Sequence, residues 1–339
     1  MNFTSSLRTL PVALLASVLV VLGLAGPASA YTAQDRVSYF NSGKYGKDLN
    51  FVAKKAKKWI KRRSQKTLPI IRRCEKAGFR VGKKDPGPAP GADYRVPVNV
   101  PDKYRPTAPI VSAPNPGPVG AEASASAGGS VGKSSHLNAQ SSKKKSGKKK
   151  VSRSKCAHTK RLAIAMDMDE TAMSSFRFGS PQPNYDAPLS MYRNMVLGSQ
   201  TALEPMLKLY QFARKREMAA FVITARYDPL QADPLVNAVL GGSDLCDPSL
   251  AAFGACGIDI ATYDFRRATR ANLVDEGYRN LRGLYMRPPE SDDKGAVKNS
   301  QRAEIVKRRG YRLIAMFGDH ESDLEGGFFE RGFKYQSPE

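Results

Sequence analysis

The sequence predicts a three-layer α/β fold, with a central parallel sheet of about five strands covered by helices on both faces. Three observations lead there. Apolar runs of strand length recur at Leu162–Met166, Ala219–Ile223, Leu281–Met286 and Leu313–Phe317. Helix-like segments such as "EPMLKLYQFARKR" and "SQRAEIVKRRG" separate them, and strands alternating with helices build a parallel sheet. Charge also balances in this part. Residues 161–339 carry 23 Lys and Arg against 24 Asp and Glu, so the excess behind the net charge of +23 lies in the first 160 residues. Chemistry in the neutral part must therefore come from specific residues rather than from a general field.

Residues 1–30 belong to addressing rather than to the fold. Arg8 precedes an apolar run over Val12–Ala25, and small residues stand at Ala28 and Ala30. The run is shorter than the roughly 18–20 residues of a membrane span, which predicts a cleaved secretory signal rather than an anchor. No cysteine stands at the cleavage region, so a lipoprotein is not expected, and the mature chain is expected to be secreted or extracytoplasmic. Its four cysteines are Cys74, Cys156, Cys246 and Cys256. An even count in an oxidising compartment favours disulfides, with three pairings open. The near pair Cys246 and Cys256 would close a small loop, leaving Cys74 and Cys156 to staple the N-terminal region (31–85) to the start of the globular domain.

Within that region "YGKDLNFVAKKAKKWIKRR" (45–63) has a helical period. Leu49, Val52, Ala53, Ala56, Trp59 and Ile60 share one face, and Lys54, Lys55, Lys57, Lys58 and Lys61 take the other. Such a helix either binds a membrane surface or acidic partner, or packs on a domain and leaves its lysines solvated. The stretch 86–160 is crowded first with Pro and Gly, then with Ala and Ser, then with "SSKKKSGKKKVSRSK". Its composition predicts a disordered linker. The lysine tracts at 143–145 and 148–150 are drawn to anionic surfaces such as a cell wall or membrane. They lack the aromatic interleaving of a nucleic-acid groove, so no specific nucleic acid is expected.

In parallel sheets the chemistry gathers outside the carboxyl ends of the strands. The first strand ends in Asp167-Met168-Asp169-Glu170-Thr171. The second ends in Thr224-Ala225-Arg226, and the last in Gly318-Asp319-His320-Glu321-Ser322-Asp323. Lys298 begins the helix leading into the last strand. Acids repel and are hard to bury, so three of them in four positions at the end of an apolar strand need a reason. Singly, Asp169 and Thr171 would pass for a helix cap and Lys298 for a surface lysine. Together, carboxylates, a lysine and a hydroxyl make a site for a phosphoryl group and a hard divalent cation. His320, in a turn, is left out of it.

The order D-x-D-x-T, strand-end threonine, lysine, then G-D-x-x-x-D resembles the haloacid dehalogenase-like superfamily of phosphotransferases. "DMDET", "ATRANLVDEGYRNLRGLYMRP" and "KNSQRAEIVKRRGYRLIAMFGDHESDL" look like its secreted acid phosphatases, the bacterial class C enzymes and plant vegetative storage proteins. The resemblance covers about 161–226 and 266–335 together with the helix at 45–63. It implies a Rossmann-like fold with small cap insertions and an exported, Mg2+-dependent phosphatase acting on small phosphomonoesters. It also implies Asp167 as nucleophile and Asp169 as proton donor and acceptor, with Thr224 and Lys298 on the phosphate. Magnesium would be held by Asp167, Asp319 and the Asp169 carbonyl, with Asp323 orienting the shell. Ala225 departs from the glycine or asparagine usual there, and an insertion at about 227–265 carries Cys246 and Cys256. A storage-type or polyanion-binding protein on the same scaffold is the alternative, which the presence of Asp167 disfavours.

Overall fold

The structure, a computed structural model, describes residues 38–39, 42–82, 85, 110–112, 150–174, 195, 198, 200–229, 232, 263–289, 291 and 293–335. The signal segment, the lysine tracts up to 149, Cys246 and Cys256 with most of their insertion, and most of the expected cap stretch 174–200 lie outside the described residues.

Six parallel strands form the main sheet: β1 (Ile110–Ser112), β2 (Leu162–Met166), β5 (Ala219–Tyr227), β6 (Gly283–Arg287), β7 (Arg312–Gly318) and β8 (Gly332–Lys334). Their order across the sheet is β1-β8-β7-β2-β5-β6, a Rossmann-like α/β arrangement. A two-stranded antiparallel ribbon, β3 (Met173–Ser174) with β4 (Thr201–Ala202), stands apart. Alternation on β2 shows how the sheet is covered. Leu162, Ile164 and Met166 enter one buried cluster, which also holds Val52, Ile60 and Met206. Ala163 and Ala165 face the other, with Phe221, Ile305 and Tyr311. Strands buried on both faces read as continuous apolar runs, which is why they were legible.

Helix α1 runs over Lys44–Lys76, longer than its period alone suggested, and contains Pro69. A proline ordinarily breaks a helix because it removes a donor and crowds the preceding turn. Here Leu68, Ile71 and Cys74 carry the buried face past it, and the Cys74–Cys156 disulfide pins its end. Trp59 Nε1 donates to the Ile314 carbonyl of β7 at 2.8 Å, and α1 also packs on α3 (Glu204–Arg214). The apolar face is thus spent on the core and the lysine face is outward, the second of the two expectations. Among the described residues no helix is long and apolar enough to cross a membrane.

Two ordered elements fall inside the stretch that composition assigned to a disordered linker. β1 pairs in parallel with β8 at the sheet edge. Helix α2 (Arg153–His158) is capped by Ser152, whose Oγ accepts from the Lys155 amide, and tied down by Cys156. Both gain order from partners distant in sequence. Two further helices complete the layers that matter for the site: α4 (Phe265–Asp275), and α5 (Lys294–Ala303) with its π-helical continuation Glu304–Arg308.

Candidate active site

The sheet order reverses around β2: the chain moves outward through β5 and β6, then returns to the other side of β2 for β7 and β8. Ligands settle at such switch points because the flanking connections part there. Asp167 follows β2 directly. Its amide donates to the Phe317 carbonyl of β7 at 2.9 Å, which holds the two strand ends and their acids side by side.

Asp319 follows β7, and Asp323 lies in the short helix α6 (Glu321–Leu324). Asp323 folds back on the strand end, where its Oδ2 accepts from the amides of Asp319 (3.0 Å) and His320 (2.9 Å). This needs Gly318. A Cβ there would lie 2.2 Å from the Asp323 Cβ, so the glycine of G-D-x-x-x-D is a demand of close approach. Oxygens of Asp167, Asp319 and Asp323 all lie within 4.8 Å of one another, and all three residues are buried. Thr171 donates to Asp319 Oδ1 at 3.0 Å.

Lys298 reaches into this cluster from α5. Its Nζ donates to Asp167 Oδ1 at 2.6 Å and also to Asp323 Oδ1. Burial pulls the ammonium's pKa down, but Asp167 and Asp323 overcome that and hold it above its ordinary value. Burial pushes the Asp167 carboxyl well up. Lys298 opposes the shift, while Asp323, Asp319 and Asp169 reinforce it. Three buried carboxylates against one ammonium leave a formal charge of −2. All-oxygen donors with that deficit suit a hard divalent cation, and the residues present fit one.

The other acids of "DMDET" turn elsewhere. Asp169 faces β5, where Arg226 Nε donates to its Oδ2 at 2.9 Å and Arg226 Nη2 to its Oδ1 at 2.5 Å. Gln200 adds 2.9 Å, and the Thr224 hydroxyl lies 3.4 Å away. Burial raises the Asp169 carboxyl, yet the charge and hydrogen bonds of Arg226 and the Gln200 bond outweigh it and hold the group below its ordinary value. Glu170, fully buried with a left-handed φ of 48°, accepts from Ser174 at 2.9 Å and is approached by Tyr45 of α1 at 3.5 Å. Three acids thus coexist in four positions because each has a different surrounding.

All of the residues singled out in the sequence, Asp167, Asp169, Thr224, Lys298, Asp319 and Asp323, stand at this edge. The Asp169 carboxylate is not in the metal-type cluster; the sequence reading gave the metal its carbonyl. Sequence reasoning gave no role to Arg226 or Gln200. β5 runs on through Tyr227 rather than ending at Ile223, so Thr224 and Arg226, two apart, project to one face. The "TAR" triplet was the available signal. Gln200, in no motif, left none. Arg226 Nη1 is buried without a hydrogen-bond partner among the described residues. His320 is exposed, with Nε2 3.4 Å from Asp319 Oδ2.

Fold and site together define a Rossmann-like α/β protein whose buried carboxylates and lysine suit phosphoryl chemistry with a divalent cation. Residues 262–338 match the model of the family described as HAD superfamily, subfamily IIIB (Acid phosphatase). The match spans Lys298, Asp319 and Asp323, and the first two motifs precede it in the family's order. That match supports a place among the HAD-like acid phosphatases and, with it, phosphoric monoester hydrolase activity. No curated protein matches the chain.

Proposed function

We propose that the chain is an exported, Mg2+-dependent acid phosphatase that hydrolyses small phosphomonoesters through an aspartyl-phosphate on Asp167. The observation that carries this is the buried constellation of Asp167, Asp319, Asp323 and Lys298 at the switch point of the sheet. Asp167 attacks phosphorus through Oδ1 or Oδ2, forming a P–O bond as the ester P–O bond breaks, so that one hard hydrolysis becomes two easier steps. Asp167, Asp319 and the Asp169 carbonyl, with Asp323 beside them, would hold a magnesium ion, which would supply the positive charge that lets an anionic nucleophile meet an anionic phosphate. Lys298 holds Asp167 in place and neutralises charge on the transferring group. Thr224 donates to a phosphate oxygen, and Arg226 is placed to do the same.

Asp169 carries the protons. It gives one to the leaving alkoxide and takes one from the water that attacks the acyl phosphate. As it stands, with Arg226 and Gln200 bound to it, the carboxylate favours the base half of that cycle. Phosphate oxygens compete for the same guanidinium, and their arrival loosens Arg226 from Asp169 so that the carboxyl can hold a proton.

Export and the extracytoplasmic location rest on the residue 1–30 pattern, and retention on anionic cell-wall or membrane surfaces on the lysine tracts. Deleting 113–155 is expected to reduce that retention. The deciding experiment is turnover of an aryl phosphate by the mature chain with Mg2+ and with chelator, beside Asp167→Asn. Metal-dependent turnover lost in the variant supports the reading. A folded parent with no turnover across roughly pH 4 to 8 overturns it in favour of a storage or polyanion-binding protein.

A further inference from the structure

Helix α1 contributes its apolar side to the core, and its outward side has a composition the fold does not require. Along one stripe stand Lys47, Phe51, Lys54, Lys55, Lys58 and Arg62, all exposed. Their spacing of three and four residues puts them on one face. None of the five cations has an ion-pair partner among the described residues. Like charges at these spacings repel, and glutamates in alternate places would relieve the repulsion. Phe51 is 40% exposed, one of two large apolar side chains so exposed among the described residues. It sits in the middle of the cations, with Lys55 Nζ 5.2 Å from its ring.

We propose that this stripe is a docking surface for an anionic lipid bilayer, with the cations on the headgroups and Phe51 in the interface between them. The shape favours a bilayer over a polymer. The stripe runs for about 22 Å along the exposed side of the helix, offering a line of contacts to a flat surface. A lone aromatic among lysines gives successive bases or sugars nothing to stack on, whereas a phenyl ring gains by leaving water at a headgroup boundary. The mode differs from that of a free amphipathic helix. The buried face of α1 stays with the sheet, so the protein lies on the surface without inserting backbone. The inference stands independently of the phosphatase reading.

The test is sedimentation of the full mature chain with vesicles of phosphatidylcholine alone or containing roughly a third phosphatidylglycerol, at low and at physiological salt. Each lysine near such a surface is worth on the order of a fivefold change in partitioning. Lys54→Gln/Lys55→Gln/Lys58→Gln is expected to lose on the order of a hundredfold, Phe51→Ser a smaller factor that salt does not change. Both variants should keep the parent's thermal melt, since all four side chains point outward. A third variant, with Lys143–145 and Lys148–150 changed to Gln, separates the tracts from the helix, and in its background the helix substitutions should weaken binding by the same factor as in the parent. Equal binding to neutral vesicles, full binding by the helix variants, or loss confined to the tract variant overturns the proposal. Capture by soluble polyphosphate with none by anionic vesicles overturns it in favour of a polymer partner.

Discussion

Lys298→Met tests the centre of the site through stability as well as catalysis. In the parent the ammonium is 4% exposed and lies between two carboxylates whose side chains are 5% and 0% exposed. Methionine fills nearly the same volume, so the loss is chiefly electrostatic. Two buried carboxylates lose their shared counter-charge, and breaking a buried pair on one side costs about 3–5 kcal/mol. That is a drop of roughly 6–20 °C in Tm for a domain of this size. Urea denaturation in chelator at neutral pH measures it. Two further responses follow if the charge argument is right. Saturating Mg2+ should recover much of the loss, because it supplies the missing positive charge to the same oxygens. Acidification should also narrow the gap. The Asp167 carboxyl has a folded pKa above its unfolded one, so the folded variant binds more protons there than its unfolded chain and gains relative stability as pH falls toward the ordinary carboxylate range. Turnover should fall by at least about a hundredfold. A variant within about 1 kcal/mol of the parent in chelator, unresponsive to Mg2+, would refute the charge balance inferred for the cluster.

Other predictions probe the surroundings. Arg226→Met removes the partner that holds the Asp169 carboxyl low; that pair adds stability above the unfolded carboxylate pKa and loses it as pH falls through the lowered folded value. The variant should therefore lose about 1–2 kcal/mol near neutrality and show a flatter acid limb in denaturation midpoints taken between pH 2.5 and 6. Arg302 is fully buried on α5, its pKa pulled down to about 10 by burial, and it donates to the carbonyls of Gly327 (3.1 Å), Asp323 (2.6 Å) and Glu325. Arg302→Met strands three acceptors around the Asp323 loop and should cost at least about 3 kcal/mol, with weakened Mg2+ binding by calorimetry. Reducing Cys74–Cys156, a crosslink over 82 residues, should cost about 4–5 kcal/mol by the chain-entropy relation, read from denaturation with and without reductant.

Periodicity and strand ends are local properties, and they made much of this protein legible from residues alone. The runs at β2 and β7 begin and end almost where the sequence put them, since a strand buried on both faces has no polar interruption. The acids at their ends announced themselves because nothing in a strand-to-helix turn calls for several buried carboxylates. What the sequence could not supply was direction. Nothing in "DMDET" says that Asp167 faces Lys298, that Asp169 turns to Arg226 and Gln200, or that Glu170 lies under Tyr45, because those partners arrive from 31 to 131 residues away. The helix at 45–63 was open to two readings, a packed element ahead of a binder of a membrane surface or acidic partner. Only contact with β7 and α3 showed that its apolar face belongs to the core. The order of the acids along the chain was written in the sequence. Their meeting around one lysine depends on the crossover that lays β7 beside β2, a long-range pairing that no local pattern encodes.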